Sequence, residues 1–391
     1  MSEYQYYEFL AVDRPLDADQ LAAVRALSTR ARVTSTSFTN SYEWGDFRGD
    51  PRQMMERYYD AHLYLANWGT HRLMLKLPQR LLDLRTAQQY CFEESVQAWT
   101  AGADLLLDLT SEDEEGDWDE DAEDSLASIV GVRAELAAGD LRSLYLAWLS
   151  ALSGRELREG DEEDFQSETE PPVPAGLATL SAPQRALADF LRVDPDLLAV
   201  ASEASRAHTA KAASDVELTG WIEALPTAEK NTLLLRVVRD EDPHVRTELL
   251  RRFRGASKAA PAATARRTAA RLLDAAAARR ADRRHLADEH RARQLAHQEE
   301  QAALAREKRL TALIGQEEAT WSHITTLIDT TRQRDYDTAV ELLRDLQEVS
   351  QRAGGSDEFS RRFAALRGRH ARKSSLIERF DRAGLSSHPS R

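Results

Sequence analysis

Residues 43–51, Glu-Trp-Gly-Asp-Phe-Arg-Gly-Asp-Pro, gather two glycines, two aromatics, an arginine and two aspartates into nine positions. Such a stretch makes a conformationally specific loop, and loops held on a rigid scaffold are where binding and catalysis concentrate. Trp44, Asp46, Phe47 and Arg48 could anchor a protein partner: an aromatic and an arginine supply contact area and a forked donor, and the carboxylate a matching acceptor. His62, Trp68 and His71 follow on neighbouring strand candidates, and either histidine could act as a general acid or base. Ordinary turn chemistry explains the same loop composition, since Gly, Asp and Pro also build plain turns.

A second constellation is Arg279, Arg280, Arg283 and Arg284. At i, i+1, i+4 and i+5 they share one broad helix face that could contact nucleic-acid phosphates. A solvated helix face with local Glu–Arg pairs competes with that reading, and the helix has no aromatics to stack on bases. A third is residues 112–124, ten carboxylates in thirteen positions around Trp118. It suits docking to a basic partner, or onto the chain's own arginine-rich helix, or plain solvation.

His285 and Glu289 stand at i, i+4, but His285 and His290 are about 140° apart around a helix. No paired-histidine metal motif results, and no metal is expected. The lone Cys91 sits within a strand candidate, 90–99, and reads as buried packing. The chain contains no Walker loop, dinucleotide-binding glycine fingerprint or nucleophile elbow, so no cofactor is expected.

The elements that must position these residues follow from pattern. The first 110 residues alternate strand and helix signals: strands over 4–12, 32–39, 62–68, 71–77, 90–99 and 103–109, and helices over 17–28, 52–59 and near 80–86. Apolar residues on both faces of 4–12 mark a central strand. A helical pattern over 125–152 places Tyr145 and Trp148 on the sheet. The order suggests an α+β domain over 1–155, with a ferredoxin-like sandwich as the candidate topology.

An acidic, proline-ended stretch, 156–176, reads as a linker. Short amphipathic helices fill 177–256, with Asp194-Pro195 and Asp242-Pro243 as helix starts and Thr227 as the cap of the helix holding Leu233, Leu234 and Leu235. Residues 240–250 resemble one unit of a HEAT-type helical repeat. A long Ala/Arg-rich helix spans 257–315, free of Gly and Pro from 262 to 314. Its leucines sustain no heptad, leaving at most weak self-association. A small helical hairpin or bundle closes the chain over 316–385.

Residues 1–175 carry 35 acidic and 15 basic side chains, net −20; residues 176–391 carry 31 and 37, net +6. Each half could therefore face a different partner. The 46 arginines against six lysines fit a GC-rich bacterial genome. No apolar run reaches the roughly 18–20 residues that span a bilayer, so no membrane partner is expected. The N-terminus lacks a secretory pattern, and a cytoplasmic location is the expectation.

Tyr6-Tyr7-Glu8-Phe9, Asp13-Arg14-Pro15-Leu16 and Trp44-Gly45-Asp46-Phe47 resemble the pattern of an uncharacterised family of bacterial proteins, over about the first 80 residues. That resemblance carries no activity, ligand or catalytic residue. The leading expectation is a non-catalytic adaptor that binds a protein partner and uses the long helix as a spacer. The alternatives are nucleic-acid association through Arg279–Arg284 and an enzyme with a site beside the 43–51 loop.

Overall fold

The computed structural model describes residues 4–113, 123, 125–156, 168–207, 215–239, 244–256 and 266–385. Trp118, Asp242-Pro243 and most of the two acidic stretches lie outside them.

Seven strands form one antiparallel sheet: β1 (Gln5–Leu10), β2 (Arg32–Val33), β3 (Ser37–Tyr42), β4 (Ala61–Ala66), β5 (Thr70–Pro78), β6 (Val96–Ala101) and β7 (Asp104–Glu112), in spatial order β2-β3-β1-β4-β5-β7-β6. The α+β class read from sequence holds. The sheet is larger than the four strands of a β-α-β-β-α-β sandwich, because β3 extends the order beyond β1 and the β6–β7 hairpin extends it beyond β5. β1 is internal, flanked by β3 and β4, as apolar residues on both its faces require.

Two cores sandwich this sheet. On one face, Phe9, Phe38 and Met74 pack with residues of α1 (Ala18–Leu27) and α2 (Pro51–Arg57). On the other, Leu63, Leu65, Leu73, Leu75, Leu107 and Leu109 meet helices α4 (Ser125–Ile129), α5 (Gly131–Ala137), α6 (Arg142–Glu156), α7 (Ala182–Phe190) and α8 (Pro195–Glu203). Tyr145 and Trp148 of α6 are buried there, as their spacing predicts.

Sequence and structure part in four places. The 90–99 strand is a turn followed by the shorter β6, with Phe92 bridged to Val96 beside α3 (Leu84–Gln88). The 125–152 helix is three helices; Gly139, at φ +89°, breaks the last two apart. Pro226, not Thr227, occupies the N-cap of α10 (Thr227–Val238), which follows α9 (Asp215–Ala224) and precedes α11 (Val245–Ala256). Finally, the acidic stretch over 156–176 does not divide two domains: α7 and α8 bury their apolar faces in the same core as the sheet.

The chain divides into two compact units, Met1–Asp282 and Arg283–Arg391. The division falls within the long helix α12 (Ala269–Leu313), 45 residues or roughly 68 Å at 1.5 Å per residue. Its first turns are anchored in the first unit: Ala269, Leu272, Leu273 and Ala276 are buried in the sheet's helical core. From 281 to 309 every residue is exposed except the half-buried Glu289. Exposed Leu286, Leu295 and Leu304 follow at nine-residue steps, about 180° apart, so they make no stripe for self-pairing.

The second unit has its own core, built from α13 (Glu317–Asp329), α14 (Gln333–Arg352), α15 (Ser356–Arg369) and α16 (Ser374–Arg382). Trp321, Ile324, Leu343, Phe363 and Phe380 meet at its centre. No helix among the described residues is long and apolar enough to cross a membrane.

Candidate functional site

Strand alternation places Gln5, Tyr7 and Phe9 of β1 on the face that also carries His62 and Tyr64 of β4 and Arg72 of β5. The register lines them into rows: Asn40, Tyr7, Tyr64, Arg72 and Thr110 across five strands, and beside it Phe38, Phe9, His62, Met74 and Asp108. Residues 43–51 lie over the end of these rows. Together, Gln5, Tyr7, Gly45, Asp46, Pro51, His62, Tyr64, Trp68 and Arg72 line an open cleft of about 610 Å³.

The loop is held from beneath. The Tyr7 hydroxyl donates to Asp46 Oδ1 at 2.9 Å and also lies 2.9 Å from Gln5 Oε1. Gln5 Oε1 accepts from the Tyr64 hydroxyl at 2.9 Å, and Gln5 Nε2 donates to the Gly45 carbonyl at 3.2 Å. Asp46 also accepts from the Phe47 backbone N–H at 2.7 Å. Phe47 is buried among Tyr7, Phe9 and Phe38, at ring separations of 5.4, 6.3 and 5.5 Å. Gly45 has φ +84°, and a Cβ at Gly49 would come within 2.4 Å of the Phe47 ring; both positions therefore call for glycine. Asp50 then caps α2 through the N–H of Arg52 at 2.8 Å, with Pro51 in the first turn.

What this frame presents outward is Trp44, 74% exposed, with exposed Arg48 beside it; Trp68, 43% exposed, lines the neighbouring cleft. Of the four loop residues expected to touch a partner, Trp44 and Arg48 are free to do so. Asp46 holds the loop and lines the cleft. Phe47 is core, because the aromatic row below it offers a pocket that a surface role would leave empty.

The cleft's titratable groups are chemically quiet. Burial, then the charge of Tyr64 and the Asp46 contact, pushes the Tyr7 phenol far above its ordinary range. Burial and Asp46 push Tyr64 up to about 12. His62 is fully buried and stacked on Phe9 at 3.8 Å. Its Nδ1 lies 2.9 Å from the Glu8 carbonyl, so it carries the proton and donates; Nε2 is a buried acceptor with no hydrogen-bond partner. Burial, offset in part by that Glu8 bond and aided by Arg72, drives His62 down to about 3, so the ring is neutral. Arg72 is committed to Asp108 through two bonds, 2.8 and 2.5 Å.

His71 does not join this site. One position out of phase with Arg72, it faces the helical core, where Nδ1 donates to the Phe190 carbonyl at 2.7 Å and Nε2 accepts from Arg192 at 2.8 Å. The Cys91 thiol is half-buried and pushed up by burial, unlike a reactive thiolate.

On α12, Arg280 pairs with Asp194 at 2.5 Å and Arg279 approaches Asp196 at 3.8 Å. Half of the arginine face expected to meet phosphates is thus turned onto the N-terminus of α8. Arg284 is exposed; Arg283 is exposed as well and makes a contact of its own. His285 and Glu289 form an exposed i, i+4 pair at 3.2 Å, and among the described residues no group of three or more metal-ligating side chains converges.

Gln5, Tyr64, Arg72 and Asp108 are functional neighbours that sequence reasoning missed. The signal was the even-position run His62, Tyr64 on one strand and Arg72 on the next, a polar and aromatic face within an apolar hairpin; only the register shows that they meet. Compared with models of protein families, with curated proteins and with solved structures, the chain matches none.

Proposed function

We propose that this chain is a non-catalytic, cytoplasmic adaptor whose sheet unit recognises a protein partner through the 43–51 loop and the cleft beside it. The observation that carries this reading is Trp44: a largely exposed indole on a loop pinned by the Gln5–Tyr7–Asp46 network and the buried Phe47. A pre-ordered aromatic loses little conformational entropy on binding, which is the property of an interface anchor. The cleft supports binding over reaction, because its phenols are pushed up, its histidine is neutral and its arginine is already paired. The exposed run of α12 suits a spacer between recognition and a second task, carried by the C-terminal unit.

Affinity capture from the native host with the full chain tests this. One protein should be recovered in stoichiometric amount. Trp44→Ala should weaken its retention about 30-fold, the loss of roughly 2 kcal/mol expected of an interface anchor. Arg48→Ala should weaken it less, and Arg284→Gln on α12 should leave it unchanged. Absence of a stoichiometric protein, or retention indifferent to Trp44→Ala, rejects the reading.

A further inference from the structure

In the C-terminal unit, the junction between α13 and α14 meets the junction between α15 and α16. Lys373 Nζ donates to the Ile328 carbonyl at 2.8 Å and lies 5.9 Å from the Tyr336 ring, pinning one junction to the other. Half-buried His370 lies within electrostatic reach of both Asp329 and Lys373.

Around that pin stand Arg332 and Arg334 from the first junction and Arg369 and Arg372 from the second. All four are exposed, and none pairs with a carboxylate of a described residue. Elsewhere in the bundle Arg362 holds Glu318, Arg367 holds Asp381 and Arg379 holds Asp337, while exposed Arg344 and Arg361 form no ion pair among the described residues but stand singly, away from these two junctions in sequence. Two carboxylates remain near the patch without a cation, Asp329 and Asp335, the latter accepting from the Thr330 hydroxyl at 2.6 Å. Counting Lys373, five cations face two anions.

Local helix rules account for Arg369, in the last turn of α15, but not for the cations at the two helix starts. Arg332 and Lys373 occupy the N-cap positions of α14 and α16, where an acceptor belongs, and neither makes a side-chain cap bond. Cations there oppose the helix dipole. Lys373 is compensated by its bond to the Ile328 carbonyl, whereas Arg332 has no such contact among the described residues, and a local rule broken in that way marks a surface open to a counter-charge.

We propose that this end of the bundle docks on duplex nucleic acid through the phosphate backbone. Four free groups that are all arginine favour phosphate, which the guanidinium fork meets with two bonds. Among the described residues of α13–α16 no large apolar side chain is exposed, so the surface has nothing to insert into lipid or to anchor an apolar peptide. It likewise exposes no aromatic ring for unstacked bases. Contact is therefore to backbone phosphate, independent of sequence, and steep in salt.

The test uses the full chain and a labelled DNA duplex, read by fluorescence anisotropy. Four phosphate contacts give a log–log salt slope of about −3.6, so affinity should fall about 150-fold between roughly 50 and 200 mM salt. The variant Arg332→Gln/Arg369→Gln/Arg372→Gln changes only exposed side chains, and its thermal melt checks that it folds. Its slope should shrink to about −0.9, while Arg284→Gln should behave as wild type. No binding at about 50 mM salt, a slope unmoved by the triple variant, or equal binding to an acidic peptide or anionic vesicles would overturn the proposal.

Discussion

His62 and Phe47 show how much one side chain can fix. In the unfolded chain the imidazole titrates near 6.5; folded, burial holds it down to about 3. Between those values the unfolded chain takes up a proton that the folded chain refuses. Stability is thus fully present above pH 6.5 and falls as pH drops toward 3, by roughly 2 kcal/mol from pH 7 to pH 5. His62→Phe keeps a ring against Phe9 and removes the proton, so the difference in unfolding free energy between variant and wild type, from urea titration, should change by that amount over the same interval. A constant difference would mean that the histidine titrates freely in the fold. Phe47→Ala should cost about 3–5 kcal/mol in denaturant unfolding, whereas Trp44→Ala should stay within about 0.5 kcal/mol. That contrast separates the loop's structural half from its presenting half. The sequence marks residues 43–51 as special because their glycines and aromatics are local signals. It does not say which aromatic turns inward, since Phe47 is decided by Phe9 and Phe38, distant in the chain.

At the scale of elements, capping was the legible part. Asp17 and Asp194 accept from first-turn N–H groups as their spacing predicts, Asp50 does the same for α2, and only the cap expected at Thr227 falls one residue earlier. The illegible part was tertiary charge. Nothing in the arginine run of α12 reveals that Arg280 reaches the same Asp194 that caps α8. Asp194→Ala removes both cap and ion pair and should cost about 1–2 kcal/mol. Arg280→Ala removes only the pair and should cost below about 1 kcal/mol. A double-mutant cycle should show a coupling of a few tenths of a kcal/mol or more; strict additivity would mean that the pair is not formed in solution. The misread 90–99 strand has a different cause. Its apolar alternation is real, but Phe92 folds back on Val96, and a bridge of that kind leaves no trace in periodicity.

At the scale of the molecule, the two units hold separate hydrophobic cores. Calorimetry should therefore resolve two transitions. Leu343→Ala, at the centre of the C-terminal core, should lower one of them, at a cost of about 2–5 kcal/mol, and leave the other in place; a single transition shifted as a whole would contradict independent cores. The sequence does not reveal this division, because a continuous helix conceals a domain border better than a proline-rich linker does. The exposed stretch of α12 has one more consequence. It is studded with tryptic sites, yet a protease needs an unwound segment, so cleavage there should be slow until the helix frays. Once nicked, each product would retain its own anchor, Leu272 and Leu273 on one side and Leu310 on the other. The digestion rate would thus serve as a clock for the local opening of that helix.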